Sequence, residues 1–317
     1  MARRPRRPCG ITYCEGLPGL GKTTAVIGLA ASLPDVALVA ENNPLPDDHA
    51  YVAGLDPAAA ACWYLDTERR RIAYATELAA RLAHQHPPGQ VVCDKGALAT
   101  LAYVYAGAVV GLHPPSLYPQ VRARYLREIR PRLPADATTI VFTGPPELGL
   151  TRRGDKPDRA LRPVWFDATF LLALARFYTE QAPDLVGHRL LRLDAAPTRP
   201  QLLTDLAAAL ALNAPTQPVL LDPVDYQHLP APFRREADRI GPAVLGRALG
   251  LPFPQPSGTV QAFERHLLLA EPASARRRRG TPPPGMTVRL QARHWTPRTP
   301  TTAPAPAVVH EERTIRS

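Results

Sequence analysis

Read only for apolar and polar positions, the chain changes texture near residue 213. Before that point, short apolar runs at 11–14, 36–40, 90–94, 138–143 and 188–193 are bounded by glycines, prolines and acids, which predicts buried strands. Between them the apolar spacing turns helical, from Ala25 onward, over 57–83, 97–109, 122–129, from Glu147, and over 165–181 and 200–212. In the longest of these, Trp63, Leu65, Ile72, Ala75, Leu78 and Leu82 are the positions expected to be buried. The segment 42–48, with Asn42, Asn43, Pro44 and Pro46, predicts a loop. Strands alternating with helices in this way predict an α/β fold, a three-layer sandwich around a five-stranded parallel sheet.

Past Asn213 the pattern fades. Residues 214–317 hold 17 of the 38 prolines and an arginine run at 276–279. Composition therefore predicts a Pro/Arg-rich, largely irregular C-terminal extension, with short helices expected at 233–249 and 260–269 and disorder over 272–317. The expected division is a basic N-terminal tail (1–9), an α/β domain (10–213), an extension (214–271) and a disordered tail (272–317). A chain ending near Asn213 is expected to fold alone.

Charge changes this picture little. The formal net charge is +10, yet residues 10–213 carry 20 basic and 20 acidic side chains. The excess comes from Arg3, Arg4, Arg6 and Arg7 and from 214–317, with 14 basic against 8 acidic residues. Arginine-rich tails are more often solvated than bound, so contact of the basic tails with nucleic acid is the lesser reading. Cys9, Cys14, Cys62 and Cys93 have no C-x-x-C spacing, which argues against a zinc site or a disulfide framework. No apolar run reaches membrane-spanning length, and none follows the N-terminal arginines as a leader would. The expectation is a cytoplasmic protein with no membrane partner, and sequence leaves a homodimer open.

Candidate chemistry starts at the first strand. Residues 16–24 read Gly16-Leu-Pro-Gly19-Leu-Gly21-Lys22-Thr23-Thr24, a complete G-x-x-x-x-G-K-[ST] pattern between a predicted strand and a predicted helix. Gly16, Gly19 and Gly21 let the backbone curl around phosphate, and the helix starting near Lys22 aims its positive end at the same anion. Lys22 is then placed for the β/γ-phosphates of ATP, and Thr23 for Mg²⁺. Lysine usage adds a clue. Against 35 arginines the chain has three lysines, Lys22, Lys95 and Lys156, one in each of three candidate phosphate loops.

Over residues 10–212 the chain resembles the thymidylate kinase branch of the P-loop nucleotide kinases. The resemblance is carried by the phosphate loop, by Tyr64-Leu-Asp-Thr-Glu-Arg69-Arg70, by Val91-Val-Cys-Asp94-Lys95 with Thr100-Leu-Ala-Tyr103, and by Pro145-Pro-Glu147 running on to Arg153. It implies ATP and Mg²⁺ as donor and ion, with Thr23 and Asp94 toward the metal. Arg69, Arg70 and Tyr103 are implied on the acceptor side, and Arg152, Arg153 and Lys156 in a lid over the donor. The chain departs from the family twice. The family's Asp-Arg pair is Asp94-Lys95, which loses a planar fork for phosphate, and its second-strand Arg-Glu is Ala40-Glu41. Glu41 is therefore open to three readings: a general base for an acceptor hydroxyl, an orienting or Mg²⁺-water ligand, or a loop acid. The expected activity is transfer of the γ-phosphoryl of ATP to a nucleotide- or nucleoside-type small acceptor. The alternative is a nucleotide-binding regulatory NTPase acting through its C-terminal extension.

Overall fold

The computed structural model describes residues 10–42, 46–85, 89–154, 163–195, 197–215, 219, 221–256, 258–271 and 287–291. The first part runs β1 (Gly10–Gly16), α1 (Lys22–Ser32), β2 (Val36–Val39), α2 (Pro46–Ala53), α3 (Pro57–Gln85), β3 (Gln90–Asp94), α4 (Leu98–Val109), α5 (Leu117–Arg124), β4 (Thr138–Thr143), α6 (Pro146–Arg153), α7 (Ala168–Arg176), α8 (Ala182–Leu185), β5 (Arg189–Asp194) and α9 (Arg199–Ala209). The five strands form one parallel sheet in the order β2-β3-β1-β4-β5. Helices α1 and α9 pack together over it, while α3, α4, α5 and α7 form a second packed group. This is the P-loop three-layer sandwich expected from the strand–helix alternation. Every residue of β2 is buried, as a parallel strand covered on both faces should be.

Order and connectivity locate the crevice. The chain leaves β1 through α1 toward β2 on one side, and leaves β3 through α4 and α5 toward β4 on the other. The carboxyl ends of neighbouring β1 and β3 therefore flank the point where the winding reverses, the place where such sheets bind ligands. Cys14 pairs with Asp94 there. One local difference is α2, which starts at Pro46 inside the predicted loop; proline is tolerated in a helix's first turn, where its missing N–H has no partner to lose.

The larger difference lies beyond residue 213. Instead of an irregular extension, the chain forms β6 (Pro223–Val224), α10 (Ala231–Ile240), α11 (Pro242–Leu245), β7 (Ala248–Gln255), β8 (Gly258–Phe263), β9 (Leu267–Glu271) and β10 (Thr287–Leu290). These strands make an antiparallel sheet in the order β10-β9-β8-β7-β6. The helix expected at 233–249 gives way to a strand at Ala248, and the one expected at 260–269 is a β-hairpin closed by the Phe263 N–H donating to the His266 carbonyl at 2.9 Å. The reason is two-sided burial. Leu267 and Leu269 join the core of the first part, whereas Leu268 and Ala270 pack with Phe233 and Ala237 of α10, so the run never shows polar alternation. Prolines 252 and 254 sit beside a register shift in β7, where proline is tolerated in a sheet. The N-terminal tail and the run 276–279 lie outside the described residues.

The two sheets share a core. Phe253, Val260, Ala262, Leu267 and Leu269 belong to the same apolar cluster as β1, β2, β3 and α1. The outer edge of β2 meets side-chain amides in place of a further strand. The Leu38 N–H donates to Gln255 Oε1 at 3.2 Å, the Leu38 carbonyl accepts from Gln291 Nε2 at 2.9 Å, and the Ala40 N–H donates to Gln291 Oε1 at 2.9 Å. Cys14, Cys62 and Cys93 are free thiols. No helix among the described residues is long and apolar enough to cross a membrane.

The shared core argues against the expectation that residues 10–213 fold alone. Phe253, Val260, Leu267 and Leu269 each contribute roughly 1.5–3 kcal/mol on burial, and together they are comparable with the whole stability of a domain. A chain ending at Asn213 should lose cooperative thermal unfolding or melt more than about 10 °C below the full chain, followed by circular dichroism. A melt coinciding with that of the full chain would refute this.

Candidate active site

The loop after β1 is shaped by positive-φ glycines. Gly19, at φ 82°, lies so close to α6 that a Cβ there would meet the Gly149 carbonyl at 2.3 Å. Gly21, at φ 86°, stands at the N-cap of α1 with no side chain capping the helix and no acid in its first turn. The first N–H groups of α1 are therefore available to an anion, reinforced by the helix dipole. Gly16, at φ 122°, abuts the Phe142 carbonyl of β4. Lys22 is buried, and its Nζ donates to the Leu17 carbonyl at 2.5 Å across its own loop. Burial, then the nearby Lys95 ammonium, lower its pKa to about 8.

Across the crevice, Asp94 ends β3 and Glu41 follows β2. Asp94 is buried and accepts a hydrogen bond from the Thr23 side chain, while its Oδ1 has no protein partner. Burial and the Glu41 carboxylate raise the Asp94 pKa; Lys95, Thr23 and Lys22 oppose them. Lys95 forms an ion pair with Glu41 Oε2. Burial works against the Lys95 ammonium, but Glu41 and Asp94 outweigh it and hold its pKa above the ordinary value. Lys95 also has φ 62°, a left-handed conformation that costs a non-glycine residue about 1–2 kcal/mol. Strain of that kind at a strand end is a mark of function. Lys22, Thr23, Glu41, Asp94 and Lys95 are thus gathered at three strand ends.

Behind them lies a buried ion pair that sequence reasoning missed. Arg71 of α3 donates from Nη1 to both Glu68 oxygens at 3.2 and 3.1 Å, from Nε to the Ala40 carbonyl at 2.7 Å, and from Nη2 to the Asp94 carbonyl at 2.6 Å. Arg69 and Arg70, expected on the acceptor side, are exposed, and Arg69 pairs with Asp66 at 3.6 Å. A three-arginine run on a helix spans most of its circumference, so one of the three had to turn inward; the signal was Glu68 at i−3 on the buried stripe.

Glu15, the last side chain before the phosphate loop, was also missed. It accepts from the Tyr178 hydroxyl at 3.1 Å, and its other oxygen has no protein partner. It lines a small pocket with Tyr13, Tyr125, Thr139 and His188. Burial, then repulsion from Glu68, raise its pKa to about 8.

The remaining candidates scatter. Arg152 donates to the Ala195 carbonyl at 2.7 Å and to Leu20 of the phosphate loop at 3.4 Å. Arg153 lies over the Phe166 ring, 4.5 Å from its centroid. Tyr103 belongs to an aromatic group with His113, Trp165 and Phe170. Thr24 is half-buried in α1, and Lys156 lies outside the described residues. From the second sheet, His266 is buried close enough to Glu41 for their charges to interact.

The sequence matches no protein-family model and no curated relative. Among solved structures it is similar to deoxyadenosine kinase from M. mycoides in three ligand states. With the products dCMP and a flexible dCDP, the identity is 13%, covering 63% of this chain and 98% of that one, at a TM-score of 0.49. With bound dATP the figures are 11%, 64%, 99% and 0.45, and with bound dCTP 15%, 63%, 98% and 0.41. At this level of likeness the functional reading rests on the chain's own residues.

Glu15 gives a pH signature. Its carboxyl stays protonated in the fold to about pH 8 but ionises near its ordinary value of 4.5 once unfolded. The stability it contributes is complete below pH 4.5 and is lost as pH rises through 8. Glu15→Gln should therefore flatten the fall of Tm between pH 5 and 8 and stabilise the protein at pH 8 by roughly 2–4 kcal/mol. Parallel Tm–pH curves for the two proteins would contradict it.

Proposed function

We propose that the chain is an ATP-dependent phosphotransferase that passes the γ-phosphoryl group to a hydroxyl of a nucleoside-type small acceptor. The observation that carries this reading is the convergence of Glu41 with Lys22, Thr23 and Asp94 at the ends of β1, β2 and β3. The phosphate loop and the N-terminus of α1 bind the triphosphate through backbone N–H groups, and Lys22 leaves the Leu17 carbonyl for the β/γ-phosphates. The acceptor oxygen attacks the γ-phosphorus, the bond to the β–γ bridging oxygen breaks, and ADP departs. Glu41 takes the proton of the acceptor hydroxyl. Lys95, paired with Glu41, fixes that carboxylate in direction.

The residues present fit Mg²⁺. Asp94 offers a buried oxygen with no protein partner beside the Thr23 hydroxyl, and among the described residues no group of three or more His, Cys, Asp or Glu forms a metal cage. Such a sparse donor set suits an ion held largely by phosphate oxygens and water. When bound, Mg²⁺ would be held on the protein side by Thr23 and Asp94 and would neutralise charge on the β- and γ-phosphates.

A hydroxyl is favoured over a phosphate as acceptor because, among the described residues, Lys95 and Arg71 beside Glu41 are both engaged. Lys95 pairs with Glu41, and Arg71 is taken by Glu68 and by strand-end carbonyls. The regulatory reading differs in one observable, since it yields no phosphorylated acceptor.

The test is a panel of natural nucleosides and nucleoside monophosphates incubated with labelled ATP and scored by product mass. Formation of a nucleoside monophosphate is expected, and absence of any phosphorylated product would overturn the reading. Lys22→Ala should lower kcat by about 10²-fold or more with the fold intact. Glu41→Gln should lower kcat to a similar degree with little change in ATP affinity. Full turnover in either folded variant would remove that residue's role.

A further inference from the structure

The catalytic reading leaves the second sheet unexplained. None of its described hydrogen bonds reaches the phosphate loop, yet Gln255, Gln291 and His266 approach the segment that delivers Glu41. In a parallel sheet the N–H and C=O of a given residue point to the same side, alternating along the strand. On β2, the outward-facing residue before Ala40 is Leu38, and both its backbone groups are taken by the amides of Gln255 and Gln291. At Ala40 the N–H donates to Gln291 and the carbonyl accepts from Arg71, so the residue before Glu41 is held from the second sheet and from α3 at once. Gln291 is fully buried, and it bridges Leu38 and Ala40 with the two ends of one amide. Neither glutamine touches a phosphate-loop residue in any of these bonds. The hairpin between β8 and β9 adds His266, buried beside Glu41; burial drives its pKa down to about 4, and the imidazole is neutral at ordinary pH.

We infer that Gln291 and Gln255 are positioning residues for Glu41, making the C-terminal sheet part of the catalytic machinery. The inference rests on the reading of Glu41 as the group that takes the acceptor proton. A free edge strand can slide and fray at its end, and a carboxylate two residues past that end moves with it. Two amides that fix both outward groups of Leu38 and the N–H of Ala40 remove that freedom. Displacement of about 1 Å at a proton-accepting oxygen is enough to cost one to two orders of magnitude in rate.

The test is a double-mutant cycle in the full chain, using the nucleoside turned over fastest in the panel. Gln291→Ala should lower kcat about tenfold or more with the ATP KM within about twofold of the parent. In the Glu41→Gln background the same substitution should change kcat by less than about twofold, because a residue that acts through Glu41 has nothing left to act on. Gln255→Ala, which removes one bond instead of two, repeats the cycle should Gln291→Ala lose ATP binding. An equal loss in both backgrounds, no loss with either glutamine, or loss of ATP binding in both variants makes the amides merely structural and overturns the inference. If Glu41→Gln alone keeps the parent kcat, or no nucleoside is phosphorylated, the reading of Glu41 fails first and the inference falls with it.

Discussion

One buried guanidinium sets the spacing of the crevice. Arg71 reaches from α3 to the carbonyls that close β2 and β3, and Glu68 balances its charge from one turn earlier on the same helix. Both side chains are almost wholly buried, and taking such a pair out of water costs several kcal/mol that its mutual attraction recovers only with good geometry and further hydrogen bonds. Here the further bonds go to strand-end carbonyls. The pair is therefore a poor source of stability and a good source of specificity, since it is satisfied only when β2, β3 and α3 sit in one arrangement. Glu41 and Asp94 inherit that arrangement because each is adjacent to, or is, a residue whose carbonyl Arg71 holds.

Charge balance in the crevice follows. Lys22 and Lys95 face Glu41 and Asp94, while Glu15 is kept neutral by burial at ordinary pH. The lowered pKa of Lys22 means its ammonium is held against a desolvation penalty, with the Leu17 carbonyl of its own loop as hydrogen-bond acceptor. A polyphosphate would relieve that penalty. The loop is thus set up electrostatically before any donor arrives, which is the arrangement that makes transition-state stabilisation effective.

Much of the first part was legible in the sequence. The phosphate loop is a local pattern, and the five strands are apolar runs between breakers, so both can be read without tertiary information. What could not be read depended on partners distant in sequence. Arg71 looks like its neighbours Arg69 and Arg70 until α3 is docked on the sheet and one of the three has to face inward. Gln255 and Gln291 carry no periodic signal, because their role is to meet a strand more than 200 residues earlier. The C-terminal sheet was obscured by its prolines and by Leu267–Glu271, whose two faces are claimed by different cores. Composition measures how much apolar surface a segment has, whereas its fate here was decided by where that surface could be buried.

The contact between Gly19 and Gly149 has a consequence of another kind. The crown of the phosphate loop rests on the backbone of α6, with Gly19 under the Gly149 carbonyl and Gly149 under the Pro18 carbonyl. Main chain meets main chain there, so no intervening side chain can be trimmed to make room for a new one. A methyl group on either partner would force the loop and the helix apart, and a change at one could not be compensated by a smaller residue at the other. In any lineage that keeps this geometry the two positions are locked separately, each by the other's backbone, and α6, which carries Arg152 and Arg153, has lost the freedom to drift away from the loop it supports.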